Sequence, residues 1–195
     1  MTLNKRTIKH TKDVISAAFE VMPYPGDDKL VEIPADMEIL ETASWLKGKH
    51  WKDLTWAALV PWWTDALCHL SPEGFRFYLP AYMIASIESY ERADRLPDVA
   101  ISMLTPPCKE SYEAFREVLL DIVKDNPEFV NPEKFEPYLE EKNAKRKQFF
   151  LERTEGFTAE QKKAIVLFLE FMKENYSEDL DYELDIALNY WRHNL

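Results

Sequence analysis

Leu70-Ser71-Pro72-Glu73-Gly74-Phe75-Arg76-Phe77-Tyr78-Leu79-Pro80-Ala81-Tyr82 is the stretch that decides the fold class. Ser71 supplies a hydroxyl cap, Pro72 suits the first helical position, and Glu73 faces the positive end of the helix dipole, so a helix begins here. From Phe75 to Ile84 the segment is apolar almost all round, which assigns that helix to the interior. Pro80 lies too deep for a start signal. The spacing therefore predicts a helix that ends or kinks at Pro80 and releases the carbonyl of Arg76.

Helical spacing continues outward from this block. Upstream, Val14, Ile15, Ala18, Phe19 and Met22 form one stripe, which Pro23 ends. Tyr24-Pro25-Gly26-Asp27-Asp28 then reads as a tight turn. A second helix is expected over residues 36–46, stopping at Gly48, and Pro61 suits the first position of another. Downstream, Tyr112, Phe115, Val118, Leu119, Ile122 and Val123 make a stripe, with Glu110, Glu113, Arg116, Glu117 and Asp121 opposite. Pro137 places the next helix start near Glu136. Thr158 and Gln161 form a capping box before a helix through residues 164–172, and Leu180, Leu184, Ala187, Leu188 and Trp191 mark a final amphipathic helix. Four glycines and no sustained alternation argue against a sheet. The reading is all-α. It expects one compact domain over residues 1–195 with seven or eight helices, an aromatic-rich, Pro-kinked helix at its centre, and residues 62–88 and 159–174 crossing the middle. The proline-bearing stretch 96–109 is a candidate joint.

Composition narrows the function classes. The chain has 195 residues, 46% hydrophobic and 30% charged, with 11 Phe, 9 Tyr and 6 Trp, a balance foreign to disordered chains. At this length folding buries roughly 70% of the unfolded surface, so a core forms without disulfide or metal. The most apolar stretch, residues 54–87, is interrupted by Pro61, Asp65, His69, Glu73 and Arg76, which excludes a membrane-spanning helix. The basic N-terminus has no apolar run behind it, and Cys68 and Cys108 match neither a disulfide framework nor a zinc site. A reduced, cytoplasmic setting is the expectation.

Net charge is −11, with −4 in residues 1–105 and −7 in residues 106–195. Nucleic acid needs a basic face, and the one basic cluster, Lys142, Lys145, Arg146 and Lys147, is interleaved with Glu140, Glu141 and Glu152. Nucleic acid and membrane are therefore not expected as partners. An acidic chain attracts and orients a basic protein instead.

Few constellations carry chemistry. Asp65 and His69 are four apart and on a helix would share a face, with His50 and Asp53 near enough in sequence to complete a metal shell. The plainer reading is a carboxylate and an imidazole paired across one turn. Cys68 and His69 are adjacent, so on a helix they point about 100° apart and form a poor nucleophile–base pair. Glu38 and Glu41 share a helix face as paired carboxylates or as a solvated edge. Glycine-rich phosphate loops and the Gly-x-Ser-x-Gly elbow are missing from the sequence. No catalytic residue and no cofactor is assigned. The aromatic surplus reads first as core; its alternative is a groove lined by Trp62, Trp63, Arg76, Tyr78 and Tyr82, since Trp, Tyr and Arg dominate protein interfaces.

The Leu70–Tyr82 block resembles the signature of a family of uncharacterised bacterial proteins, domain of unknown function 6714. Pro23-Tyr24-Pro25-Gly26-Asp27-Asp28, the Glu38/Glu41 pair ahead of Trp51, and Thr158-Ala159-Glu160-Gln161 with Ala187-Leu188-Asn189-Tyr190-Trp191 agree in order. The resemblance implies a bacterial, soluble, helical domain and carries no reaction. Two expectations follow. The first is a non-catalytic protein-binding or regulatory protein, immunity- or antitoxin-like, with a basic protein partner. The alternative is a small metal-assisted hydrolase using Asp65 and His69, with His50 or Asp53.

Overall fold

The computed structural model of the chain describes residues 5–32, 35–60, 63–93, 95–125 and 132–195, with side chains for all of these except 5, 6, 125, 132–134 and 177–182. Its elements in chain order are α1 (Lys5–Ala18), α2 (Met37–Leu46), α3 (Trp56–Leu59), α4 (Pro72–Glu88), α5 (Leu96–Leu104), α6 (Lys109–Asp125), α7 (Pro132–Thr154) and α8 (Ala159–His193). Short 3-10 helices lie at Asp27–Lys29, Trp51–Asp53, Thr64–His69 and Tyr90–Arg92. The fold is all-α, and no strand occurs among the described residues. The backbone divides into two compact units, Met1–Thr105 with Arg153–Leu195, and Pro106–Glu152. The first of these boundaries falls within the stretch 96–109. Pro61, expected at the first position of a helix, lies outside the described residues.

The first unit is organised on α4. Ser71 Oγ accepts from Gly74 N–H at 3.0 Å and donates to the Lys29 carbonyl at 2.6 Å, while Ser71 N–H donates to the Leu30 carbonyl at 2.9 Å. One residue thus caps the helix and ties it to the preceding segment. Gly74 is required there, because a Cβ on it would lie 2.6 Å from the Leu30 carbonyl oxygen. Twelve of the seventeen α4 residues are buried, among them Phe75, Phe77, Tyr78, Tyr82 and Met83. α4 packs against α1 and α5.

Pro80 does not end α4, which runs on to Glu88. A proline in a helix interior costs about 3 kcal/mol. Full burial of each large apolar side chain gains about 1.5–3 kcal/mol, so the buried residues on both sides of Pro80 outweigh it. A correction applies to α7, which starts at Pro132 rather than near Glu136 and contains Pro137. Pro132 takes the first position, and Pro137, within the opening turns, forfeits one backbone bond.

α8 folds back on itself. A straight helix of 35 residues would be about 52 Å long. Yet Lys162 Nζ donates to the Asn194 carbonyl at 2.9 Å, Arg192 pairs with Glu170 at 2.7 Å, and Lys173 pairs with Asp185. Contacts nested in this way require two antiparallel arms, with the reversal between Lys173 and Asp185. The first arm opens with the expected capping box: Gln161 N–H donates to Thr158 Oγ1 at 3.2 Å and Thr158 N–H donates to Gln161 Oε1 at 3.0 Å. Ala164, Ile165, Phe168, Leu169 and Met172 on this arm, and Leu184, Ala187 and Trp191 on the other, are buried. Trp191 Nε1–H donates to the Leu104 carbonyl at 2.8 Å, which fastens the end of the chain to α5.

Candidate functional site

α2 positions one wall of the site. Asp36 caps it by accepting from Ile39 N–H at 3.0 Å, and Gly48, at φ 67°, ends the turn beyond it in the left-handed region. Thr42 and Leu46 face inward, which leaves Glu38 and Glu41 on the outer side. The opposite wall is the 3-10 helix Thr64–His69, held because Thr64, Ala66 and Leu67 are buried. Between them lies a cleft of about 330 Å³ lined by Glu38, Glu41, Thr42, Trp63, Asp65, Ala66 and His69.

Three carboxylates, one imidazole and one indole thus meet in one depression. His69 Nε2 lies 3.6 Å from Glu38 Oε1, with His69 21% and Glu38 75% exposed. Asp65 Oδ1 lies 3.4 Å from the Arg95 guanidinium, with Arg95 65% and Asp65 47% exposed. Trp63 stacks on Trp45, ring centres 4.5 Å apart and planes 13° apart, and Lys49 Nζ sits 4.8 Å from the centre of the Trp45 ring. A cationic side chain already uses this indole pair.

The expected metal shell is not assembled. Asp65 and His69 belong to a 3-10 helix, in which positions i and i+4 lie about 120° apart, and both line the cleft. His50 is elsewhere: its Nδ1 accepts from Lys52 N–H at 3.1 Å, and its ring packs edge-on to Phe77 at 5.2 Å. Among the described residues no three His, Cys, Asp or Glu side chains gather as a metal ion would require. Cys68, next to His69, is half-buried; burial raises its thiol pKa, and Arg153 opposes that.

The groove expected from Trp62, Trp63, Arg76, Tyr78 and Tyr82 resolves differently. Trp62 lies outside the described residues. Trp63 is in the cleft. Tyr78 and Tyr82 are core residues, 0% and 1% exposed. The Tyr78 hydroxyl serves the Leu46 and Lys49 carbonyls at 3.0 and 2.8 Å, and Tyr82 donates to the Trp63 carbonyl at 2.6 Å. Burial pushes both phenol pKa values upward. Arg76 reaches the Arg153 carbonyl at 3.4 Å and lies against Gly156, where an added Cβ would come within 2.8 Å of the guanidinium. These three side chains fasten α4 to its surroundings.

The turn at Tyr24–Asp28 is likewise structural. Tyr24 Oη donates to Asp27 Oδ1 at 2.5 Å, and Gly48 N–H reaches Tyr24 Oη at 3.0 Å and Asp27 Oδ1 at 3.1 Å. The Tyr24 hydroxyl above all, then Gly48 N–H and Lys47, hold the Asp27 carboxyl below its usual range. Arg153 is buried: Nη2 donates to the Cys68 and Leu70 carbonyls at 2.8 and 2.7 Å, and its guanidinium lies 5.0 Å from the Phe75 ring centre. Burial lowers its pKa to about 10. Sequence reasoning singled out Glu38, Glu41, Trp63, Asp65 and His69 separately; it missed that they converge, and it missed Trp45 and Arg95 as their neighbours.

No helix among the described residues is long and apolar enough to cross a membrane. Neither the curated proteins nor the solved structures include a match to the chain. The resembling turn Pro23–Asp28 and the segments from Thr158 onward fall outside the stretch that the family comparison matches. Residues 32–121 match the model of a family of unknown function, DUF6714, and this stretch of the chain holds both the cleft and the Leu70–Tyr82 block.

Proposed function

We propose that this protein is a non-catalytic binding protein for a basic protein partner, immunity- or antitoxin-like in its role. In this reading the cleft between α2 and the 3-10 helix Thr64–His69 takes a cationic side chain of that partner. The observation that carries it is the convergence of Glu38, Glu41 and Asp65 with the Trp63 indole, beside a lysine already seated on the stacked Trp45 ring. The net charge of −11 adds long-range attraction for such a partner.

Magnitudes set the scale of the test. One carboxylate attracts a unit charge 4 Å away by about 1 kcal/mol in a water-like dielectric, and a cation over an exposed ring adds about 0.5–1 kcal/mol. The cleft therefore supplies an anchor of a few kcal/mol, which corresponds to a dissociation constant on the order of millimolar for a small cation. Titration with an acetylated, amidated Gly-Arg-Gly peptide should quench or shift tryptophan emission in that range and weaken with salt. Glu41→Gln with Asp65→Asn should reduce the response at least several-fold. An unchanged response in this double variant, or none in the parent protein, refutes the cleft reading.

A further inference from the structure

α6 differs from the other long helices. None of its described side chains, Lys109 to Lys124, is fully buried, although the sequence carries a clear apolar stripe. Val118 is 59% and Ile122 49% exposed, and Ala114, one turn earlier, is exposed too. At about 100° per residue these three fall within an arc of about 80°. On one flank, about 60–100° from Val118, lie Asp121, Glu110 and Glu117. On the other flank Phe115 meets α7, with the Arg146 guanidinium 5.5 Å from its ring centre, and further round Arg116 pairs with Glu136 on the same helix. The result is an exposed apolar edge with a carboxylate rim along one side.

We propose that this edge docks an amphipathic helix of another protein that carries lysine or arginine beside its apolar stripe. An apolar seam flanked by charge is the arrangement by which packed helices choose partners, the flanking charges selecting opposite sign. The Lys124–Asp121 pair on this rim, at 2.9 Å, lies in solvent and is weak enough for a partner's cation to exchange with it. A second copy of this chain is the poorer occupant, because it brings net −11 against net −11 and the same acidic rim. This surface is separate from the cleft, and its assignment does not depend on the cleft reading.

The probe is a labelled 18-residue amphipathic peptide with a leucine stripe flanked by lysines, titrated into the full chain by fluorescence anisotropy. A matching peptide with glutamates in place of the lysines is the control. The expected result is micromolar binding of the basic peptide and at least tenfold weaker binding of the acidic one. Val118→Asp with Ile122→Asp should weaken the basic peptide at least tenfold, although it adds two negative charges; both residues are exposed, and circular dichroism checks that the fold is kept. Glu41→Gln with Asp65→Asn should leave this binding unchanged while it reduces the response at the cleft at least several-fold, so the two readings fail independently. Equal binding to the parent and the Val118/Ile122 variant would reduce the effect to bulk charge and overturn the proposal. So would absence of binding, or a dimer in sedimentation that Val118→Asp dissociates.

Discussion

Helices α4 and α6 are each seventeen residues long, and they solve opposite problems. α4 is apolar almost all round and buries twelve of its residues, several of them aromatic. α6 is amphipathic, and its described side chains are all at least partly in solvent. The polar atoms follow the same division. On α4 the Ser71, Tyr78 and Tyr82 hydroxyls are committed to internal carbonyls. On α6 the charged groups make exposed pairs with one another or with α7. The contrast teaches that the most distinctive sequence block of this chain builds the interior, while the cleanly amphipathic stripe of α6 stays at the surface.

Substitutions in the two helices should separate sharply. Phe75→Ala removes a ring that is 0% exposed and should destabilise the protein by about 3–5 kcal/mol in chemical denaturation. Gly74→Ala should cost about 1–3 kcal/mol, because the new methyl meets the backbone oxygen of Leu30 rather than a side chain that can move. Tyr78→Phe removes the single hydroxyl proton shared by the Lys49 and Leu46 carbonyls, of which the Leu46 oxygen keeps the Lys49 N–H, and should cost about 1–3 kcal/mol. It also carries a pH signature. Burial raises the folded phenol pKa above its ordinary 10.0, so the stabilisation from the neutral ring is complete below pH 10 and declines as pH rises beyond it. The phenylalanine variant should show a shallower alkaline decline.

Asp27→Asn gives the opposite limb. Its carboxyl is held below the ordinary 3.8, so its contribution is complete above that value and is lost as pH falls through the lower folded value. The variant should be less sensitive to acid below pH 3.8. The smallest effect is expected on α6, where Val118→Ser should change stability by no more than about 0.5 kcal/mol. A loss of several kcal/mol at Val118 would erase the distinction between the two helices.

The elements most legible in the sequence are those whose ends are set locally. Asp36 and Ser71 cap α2 and α4, Gly48 closes the turn after α2, and Thr158 with Gln161 opens α8, all through contacts within four residues of the helix end. The two arms of α8 were likewise separable, because the apolar spacing of residues 164–172 and of Leu184, Ala187 and Trp191 each describes one face. Pro137 misled, since the loss of one backbone bond in the opening turns of α7 does not stop that helix from starting at Pro132. The cleft was legible only in pieces. Glu38 and Glu41 come from α2 and Trp63, Asp65 and His69 from some 25 residues later, and no spacing rule brings them together. Residues 64–69 form a 3-10 helix rather than an α-helix, yet Asp65 and His69 both line the cleft.

Residue-resolved hydrogen–deuterium exchange tests the division between scaffold and recognition surface most directly. α4 amides from Tyr78 to Ile87 should exchange only through global unfolding, and α6 amides from Phe115 to Val123 should exchange orders of magnitude faster until the basic peptide is added. Equal protection of the two helices in the isolated protein would contradict the account.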